Sequence, residues 1–234
     1  MDNYCISCKK GACVTSVPIF NNLDYDQLLK ISQIMEGVSY DKGNIIFTEG
    51  NNGDTLYFIY EGKIKLYKYT KDGKEQILNI LSDGDFFGEL NLLKNSTYNF
   101  NAKAITDCKV CTLTNEQFKN IIIERPEISI KVLEAIAERL SNMEQLIQNL
   151  ATNDIDSRVA YLLSELCENY GVREKNNTIL IELPISREDM ANYIGVSRET
   201  ISRKLKKFEE EGIIILRGTK KIIVIDKEVL DNYI

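Results

Sequence analysis

Between residues 37 and 114 apolar and polar positions alternate in short runs that break at glycines, and Gly43, Gly50, Gly53, Gly62, Gly73, Gly84 and Gly88 recur at roughly ten-residue spacing. In TLYFIYEGKIKLYKY, Leu56, Phe58 and Tyr60 fall on one face of a strand, and Ile64, Leu66 and Lys68 on one face of the next. Short strands in such number predict an all-β sandwich or jelly roll. From Pro126 the period changes. Leu133, Ile136, Leu140, Met143, Ile147 and Leu150 are spaced 3, 4, 3, 4, 3 along VLEAIAERLSNMEQLIQNL, a heptad seam. So narrow a stripe favours a second helix of the same kind and predicts a parallel homodimer. The same helix can also lie on its own β domain through its opposite face.

A second helix is expected over roughly 154–170, then the polar REKNN, a strand TILIEL, and PISREDMANYIGVSRETISRKLKKFEEEGI. That last stretch holds two helix starts. Ser186 with Asp189 three residues on has the form of a capping box, and Ser197 after Gly195 caps a second helix. Helix, glycine turn, helix is the helix-turn-helix pattern. IIILRGTKKIIVI then reads as two apolar strands around Arg217-Gly218-Thr219-Lys220, a hairpin forming a basic wing, and Asp226 caps a short terminal helix. The expected order is an arm over 1–20, a β domain over 21–125, a dimerisation helix over 126–152 and a winged helix-turn-helix over 153–234, an α+β chain.

Charge sharpens this picture. The 234 residues carry a net −6, yet residues 184–221 hold nine Lys/Arg against six acids, a local +3 that leaves −9 elsewhere. A basic island on an acidic chain is a footprint for phosphate. On the helix after Ser197, Arg198, Glu199, Ser202 and Arg203 crowd one face near its N-terminal end, while Ile201 and Leu205 point to the core. Arginine grips guanine O6 and N7, and glutamate accepts from the cytosine amino group, so this face suits the major groove. Ser186, Arg187, Ser197, Thr200, Lys204 and Lys220 are assigned to the phosphate backbone, with Lys206 and Lys207 beside them. No histidine is present and no catalytic carboxylate pair or nucleophile motif can be placed, which argues against an enzyme.

No apolar run approaches the eighteen or so residues of a membrane span and no secretory signal opens the chain, so a cytoplasmic protein is expected. There thiols stay reduced, and clustered cysteines read as metal ligands or redox sensors. Three of the six cysteines, Cys5, Cys8 and Cys13, lie within nine residues. Cys108 and Cys111, three apart on a strand, face opposite ways, so one alone can meet that arm. Cys167, near Leu163 and Leu166 on an apolar helical face, is packing.

KGNIIFTEGNNGDTLYFIYEGKIKLY, GDFFGEL and SRETISRKLKKFEEEGII, in that order with a long helix between them, resemble the bacterial Crp/Fnr transcription regulators over essentially the whole chain. The resemblance implies an N-terminal cyclic-nucleotide-binding-like jelly-roll β domain, a long dimerisation helix and a C-terminal winged helix-turn-helix domain. It also implies a palindromic double-stranded DNA operator with TGA-like half-sites, and RNA polymerase as a partner. Glu199 and Arg203 match the family's shared base-reading pair; Arg198 resembles the catabolite-activator type and Ser202 the Fnr type.

Within the same resemblance, Gly88 and Glu89 stand where the cyclic-AMP binders hold the ribose, but Tyr98 and Asn99 replace the Arg-Ser pair for the phosphate. Met143 and Glu144 replace the hydroxyls offered to the adenine. A buried phosphate without a cation is costly, so the pocket reads as vestigial and no cyclic AMP is expected. Cys5-x2-Cys8-x4-Cys13 before VPIFNNL resembles the Fnr arm, which with one cysteine of the roll ligates a [4Fe–4S] cluster responsive to oxygen or nitric oxide. Aligning KVCTLT puts Cys111 at the fourth ligand position and Cys108 at a core position. The second arm gap is four residues rather than five, and CKKGAC brings two lysines and a glycine to the site. Structural zinc, a thiol–disulfide switch, haem ligated without histidine, or a small-molecule effector remain open, as does a cyclic-nucleotide-binding regulatory module.

Overall fold

The computed structural model describes residues 12–15, 17–91, 97–151, 154–174 and 178–234. Cys5 and Cys8 fall outside these residues, as does the side chain of Cys13. Two compact units emerge, one built from the chain up to Tyr69 with Ile77–Arg139, the other from Thr70–Gln76 with Leu140–Ile234.

In the first unit the glycine-punctuated runs become β1 (Glu36–Tyr40), β2 (Ile45–Phe47), β3 (Thr55–Glu61), β4 (Ile64–Tyr69), β5 (Glu75–Leu81), β6 (Phe86–Phe87), β7 (Asn101–Ala104) and β8 (Cys108–Thr114). They pair as two four-stranded sheets, β1-β8-β3-β6 and β2-β7-β4-β5, the jelly-roll arrangement that the spacing predicts. The faces turned toward each other enclose Phe47, Ile59, Ile64, Leu66, Phe87, Cys108 and Val110. Simple one-face alternation fails for β3, because its second face is covered too. Leu56 and Phe58 enter another cluster with Val14, Val17, Phe20, Cys111, Leu113, Phe118, Ile128 and Val132.

Helices supply that cover. Three of them, α1 (Ala12–Thr15), α2 (Tyr25–Ile34) and α3 (Asn115–Glu124), are short, and the strand-like alternation does not single them out. Their starts are nevertheless written locally. Asp24 and Gln27 form a reciprocal capping box with both bonds at 2.9 Å, and Thr114 with Gln117 forms another.

The long helix α4 (Glu127–Ala151) has two apolar stripes rather than one. Ile128, Val132, Ala135 and Ile136 pack on the first unit's cluster, whereas Leu133, Leu140, Met143 and Ile147 are 48–66% exposed. Ile136 serves both. At about 100° per residue it lies between Met143 and Ile147 in the seam and about 40° from Val132, and its partly buried side chain also reaches the first unit's cluster. The side chain of Leu150 lies outside the described residues.

The second unit contains α5 (Ile155–Tyr170), β9 (Gly171–Arg173), β10 (Ile179–Glu182), α6 (Arg187–Ile194), α7 (Arg198–Glu210), β11 (Ile214–Arg217), β12 (Lys221–Val224) and α8 (Lys227–Asp231). The sheet order β11-β12-β10-β9 makes the hairpin a wing on a helix-turn-helix. Cys167 is buried on α5, as expected of packing, and burial pushes its thiol up to about 12. Among the described residues no helix is long and apolar enough to cross a membrane.

Phe58 is fully buried, whereas Tyr25 is 72% exposed. Phe58→Ala should lower the unfolding free energy by about 3–5 kcal/mol in a urea titration, and Tyr25→Ala by less than about 0.5 kcal/mol.

Candidate nucleic-acid interface and sensor site

The helix-turn-helix is set by local chemistry. Ser186 caps α6, accepting from the Asp189 amide at 3.0 Å while the Asp189 carboxylate accepts from the Ser186 amide at 3.1 Å. Gly195 ends α6 at φ +72°, a left-handed conformation that other residues adopt at a cost. Ser197 then caps α7, its hydroxyl accepting from the Thr200 amide at 3.2 Å.

On α7, Ile201, Leu205 and Phe208 are buried, and Arg198, Glu199, Ser202 and Arg203 are exposed together on the other side. Glu199 is held below its usual carboxylate pKa by its own backbone amide, the Ser197 hydroxyl and Arg198, so it stays a charged acceptor. The Ser202 hydroxyl donates to the Arg198 carbonyl at 3.0 Å.

The expected backbone contacts divide. Lys220 is exposed at the wing turn, while the hydroxyls of Ser186 and Ser197 serve the caps and Thr200 lies 3.1 Å from Ser197. Arg187 is half-buried, and burial lowers its pKa.

Lys204 and Lys207, assigned above to phosphate, each pair with a carboxylate of the same unit. Lys204 Nζ stands 2.6 Å from Asp156 Oδ1, and Lys207 Nζ donates to Asp156 Oδ2 at 2.7 Å. The reason is angular. These two positions lie on the flank of α7 nearest the first turn of α5, between the buried and the base-reading sides. Burial alone would raise the Asp156 pKa, but hydrogen bonds and charge from the two lysines outweigh it and hold the carboxyl below its usual value. Sequence reasoning missed this tie, because no spacing links residue 156 to a helix some fifty residues on.

In the roll, Tyr98 and Glu89, two of the positions aligned with a nucleotide site, are bonded within the chain. Tyr98 is 2% exposed, its ring stacked 3.7 Å from that of Phe47. Its hydroxyl donates to the Thr55 carbonyl at 2.7 Å and accepts from the Thr55 amide at 3.3 Å. Asn99 is exposed beside it. Glu89, 6% exposed, is paired with Arg139 of α4 at 2.6 Å. The same guanidinium donates to the Phe86 carbonyl and lies 4.8 Å over the Phe86 ring. Gly88 has a backbone reason to be glycine, since its φ is +93° and an added Cβ would fall 2.5 Å from the Thr55 carbonyl oxygen. Sequence reasoning did not single out Arg139.

Cys108 and Cys111 face opposite ways on β8. The Cys108 thiol turns to the inter-sheet core and donates to the Lys63 and Thr106 carbonyls at 3.2 Å, with burial raising its pKa. Cys111, 1% exposed, joins Val14, Val17, Ile19 and Phe20, the arm residues that follow Cys13.

A β roll, a long helix with an exposed apolar stripe, and a winged helix-turn-helix with a polar, partly cationic recognition face together define a DNA-binding regulator. Residues 37–125 match the cyclic nucleotide-binding domain family and residues 157–233 the Crp-like helix-turn-helix domain. The chain is 30% identical to the CRP-like cAMP-activated global transcriptional regulator of Mycobacterium tuberculosis over 90% of this chain and 93% of that one. It is 26% identical to the transcriptional activator protein FnrL of Cereibacter sphaeroides over 87% of this chain and 82% of the other. The solved structure of FixK2 from Bradyrhizobium japonicum is similar with a TM-score of 0.77 and 26% identity, covering 86% of this chain and 97% of that one. The chain belongs to the Crp/Fnr family of DNA-binding transcription regulators, and these relatives are regulators rather than enzymes.

Removing the Arg139 side chain strands a carboxylate that water barely reaches. Arg139→Ala should therefore destabilise the first unit by about 3–5 kcal/mol, read as a shift of its unfolding midpoint in urea.

Proposed function

We propose that this regulator is controlled through its cysteine arm: Cys5, Cys8, Cys13 and Cys111 hold a [4Fe–4S] cluster, and oxygen or nitric oxide is the signal. The observation that carries this reading is that Cys111 lies in the same buried cluster as Val14, Val17 and Phe20. Four thiolates are the ordinary ligand set of such a cluster, and Val14 is the residue next to Cys13. When bound, the cluster supplies an iron–sulfur centre sensitive to oxygen and nitric oxide.

The chain's own residues couple the arm to DNA. The arm's Val14, Val17 and Phe20 and the Ile128, Val132 and Ile136 of α4 share one apolar cluster, so seating the arm adds packing against the helix. That seating biases the exposed Leu133, Leu140, Met143 and Ile147 toward the same stripe of a second copy, giving a homodimer. A two-fold dimer sets two α7 helices on the half-sites of a palindromic operator, with Arg198, Glu199, Ser202 and Arg203 at base edges. RNA polymerase is the partner that the family implies. Cyclic AMP has no part in this reading, which is supported by Tyr98 and Asn99 standing in place of the Arg-Ser phosphate pair and by Glu89 being paired with Arg139.

A second reading rests on the same donors, with zinc on the four thiolates or a reversible arm disulfide.

Protein purified without oxygen should absorb broadly near 400 nm, contain about four irons per chain and bleach in air. Colourless protein holding zinc, or no metal at all, would overturn the cluster and favour the second reading. Cys111→Ser should abolish the colour and the response of DNA binding to air, while Cys108→Ser keeps both. Arg203→Ala should weaken specific operator binding by about 1–3 kcal/mol in an electrophoretic assay.

A further inference from the structure

We propose that Asp156 is a specificity-determining residue: it competes with DNA phosphate for Lys204 and Lys207, so that α7 binds by reading bases more than by charge. The proposal rests on α7 being the recognition helix. Its geometry is one carboxylate spanning one turn of that helix, Oδ1 at 2.6 Å from Lys204 Nζ and Oδ2 at 2.7 Å from Lys207 Nζ. Asp156 is itself anchored, since its amide donates to the Asp154 carboxylate at 2.9 Å in the first turn of α5, where the helix dipole favours negative charge. Its side chain is 14% exposed and that of Lys204 21%, so this is no loose surface pair. Lys207 is more open at 43% and lies 3.6 Å from a second carboxylate, Glu211.

Consider what this does to the field of the recognition helix. Two ammonium groups beside the base-reading face would ordinarily release counterions from any duplex, whatever its sequence. Tied to Asp156, they present together with it one net positive charge instead of two. A lysine can reach a phosphate only by giving up a short, partly shielded ion pair, which offsets what the phosphate contact contributes. Arg198 and Arg203 have no such tie to Asp156, so attraction to non-operator DNA falls while readout of the operator is kept.

The test is the salt dependence of binding to a scrambled duplex, alongside a duplex carrying two inverted TGA half-sites. Each phosphate contact contributes about 0.9 to the slope of log affinity against log salt. Asp156→Asn should steepen that slope by about 2–4 for the dimer on the scrambled duplex, tighten binding there several-fold at low salt, and shrink the preference for the half-site duplex. An unchanged or shallower slope with weaker binding overturns the proposal and makes Asp156 a structural tie between α5 and α7. The pair Lys204→Gln with Lys207→Gln reads the same question with Asp156 intact. The slope should barely move, and a fall of about 4 for the dimer would show that the lysines already sit on phosphate. Thermal unfolding of each variant separates misfolding from a changed field. Should the unaltered protein bind both duplexes alike, the base-reading assignment of α7 fails, while the scrambled-duplex slopes still decide the role of Asp156.

Discussion

One hydrophobic cluster holds the first unit together. It receives Val14, Val17 and Phe20 from the arm, Cys111 and Leu113 from β8, and Ile128, Val132 and Ile136 from α4. Interiors packed this densely transmit small displacements instead of absorbing them. A change in how the arm is seated is therefore felt by the helix without any hydrogen-bonded relay between them. The period-two alternation of β8 makes this possible, because the strand gives Cys108 and Val110 to one core and Cys111 and Leu113 to the other.

The division of labour on α4 follows from helical geometry. A stripe through Ile128, Val132, Ala135 and Arg139 serves the roll, and the adjacent one through Leu133, Leu140, Met143 and Ile147 stays exposed. Ile136 lies on the border and belongs to both. Glycines and caps perform the matching service in the DNA-binding unit, where Gly195 and Ser197 fix the angle between α6 and α7 before any long-range contact is made.

Much of this was legible in the sequence because it is periodic or local. The strands of the roll, the caps at Ser186, Ser197 and Asp226, and the opposed faces of Cys108 and Cys111 all follow from spacing within a few residues. What escaped was long-range pairing. The helix Tyr25–Ile34 is marked locally by the Asp24–Gln27 capping box, but its short apolar face is hard to separate from the strand-like runs that follow. Ile136 sits where the heptad count puts it, and its second contact, with the roll's cluster, is again a long-range one. The ties of Glu89 to Arg139 and of Asp156 to Lys204 join residues about fifty positions apart, and no composition rule selects such partners.

The Glu89–Arg139 pair carries a further consequence. A diffusible ligand occupies its site in proportion to its concentration, but a guanidinium tethered on α4 is present at a fixed effective concentration. The pair therefore closes again whenever it opens, at a rate set by the chain and not by the concentration of any solute.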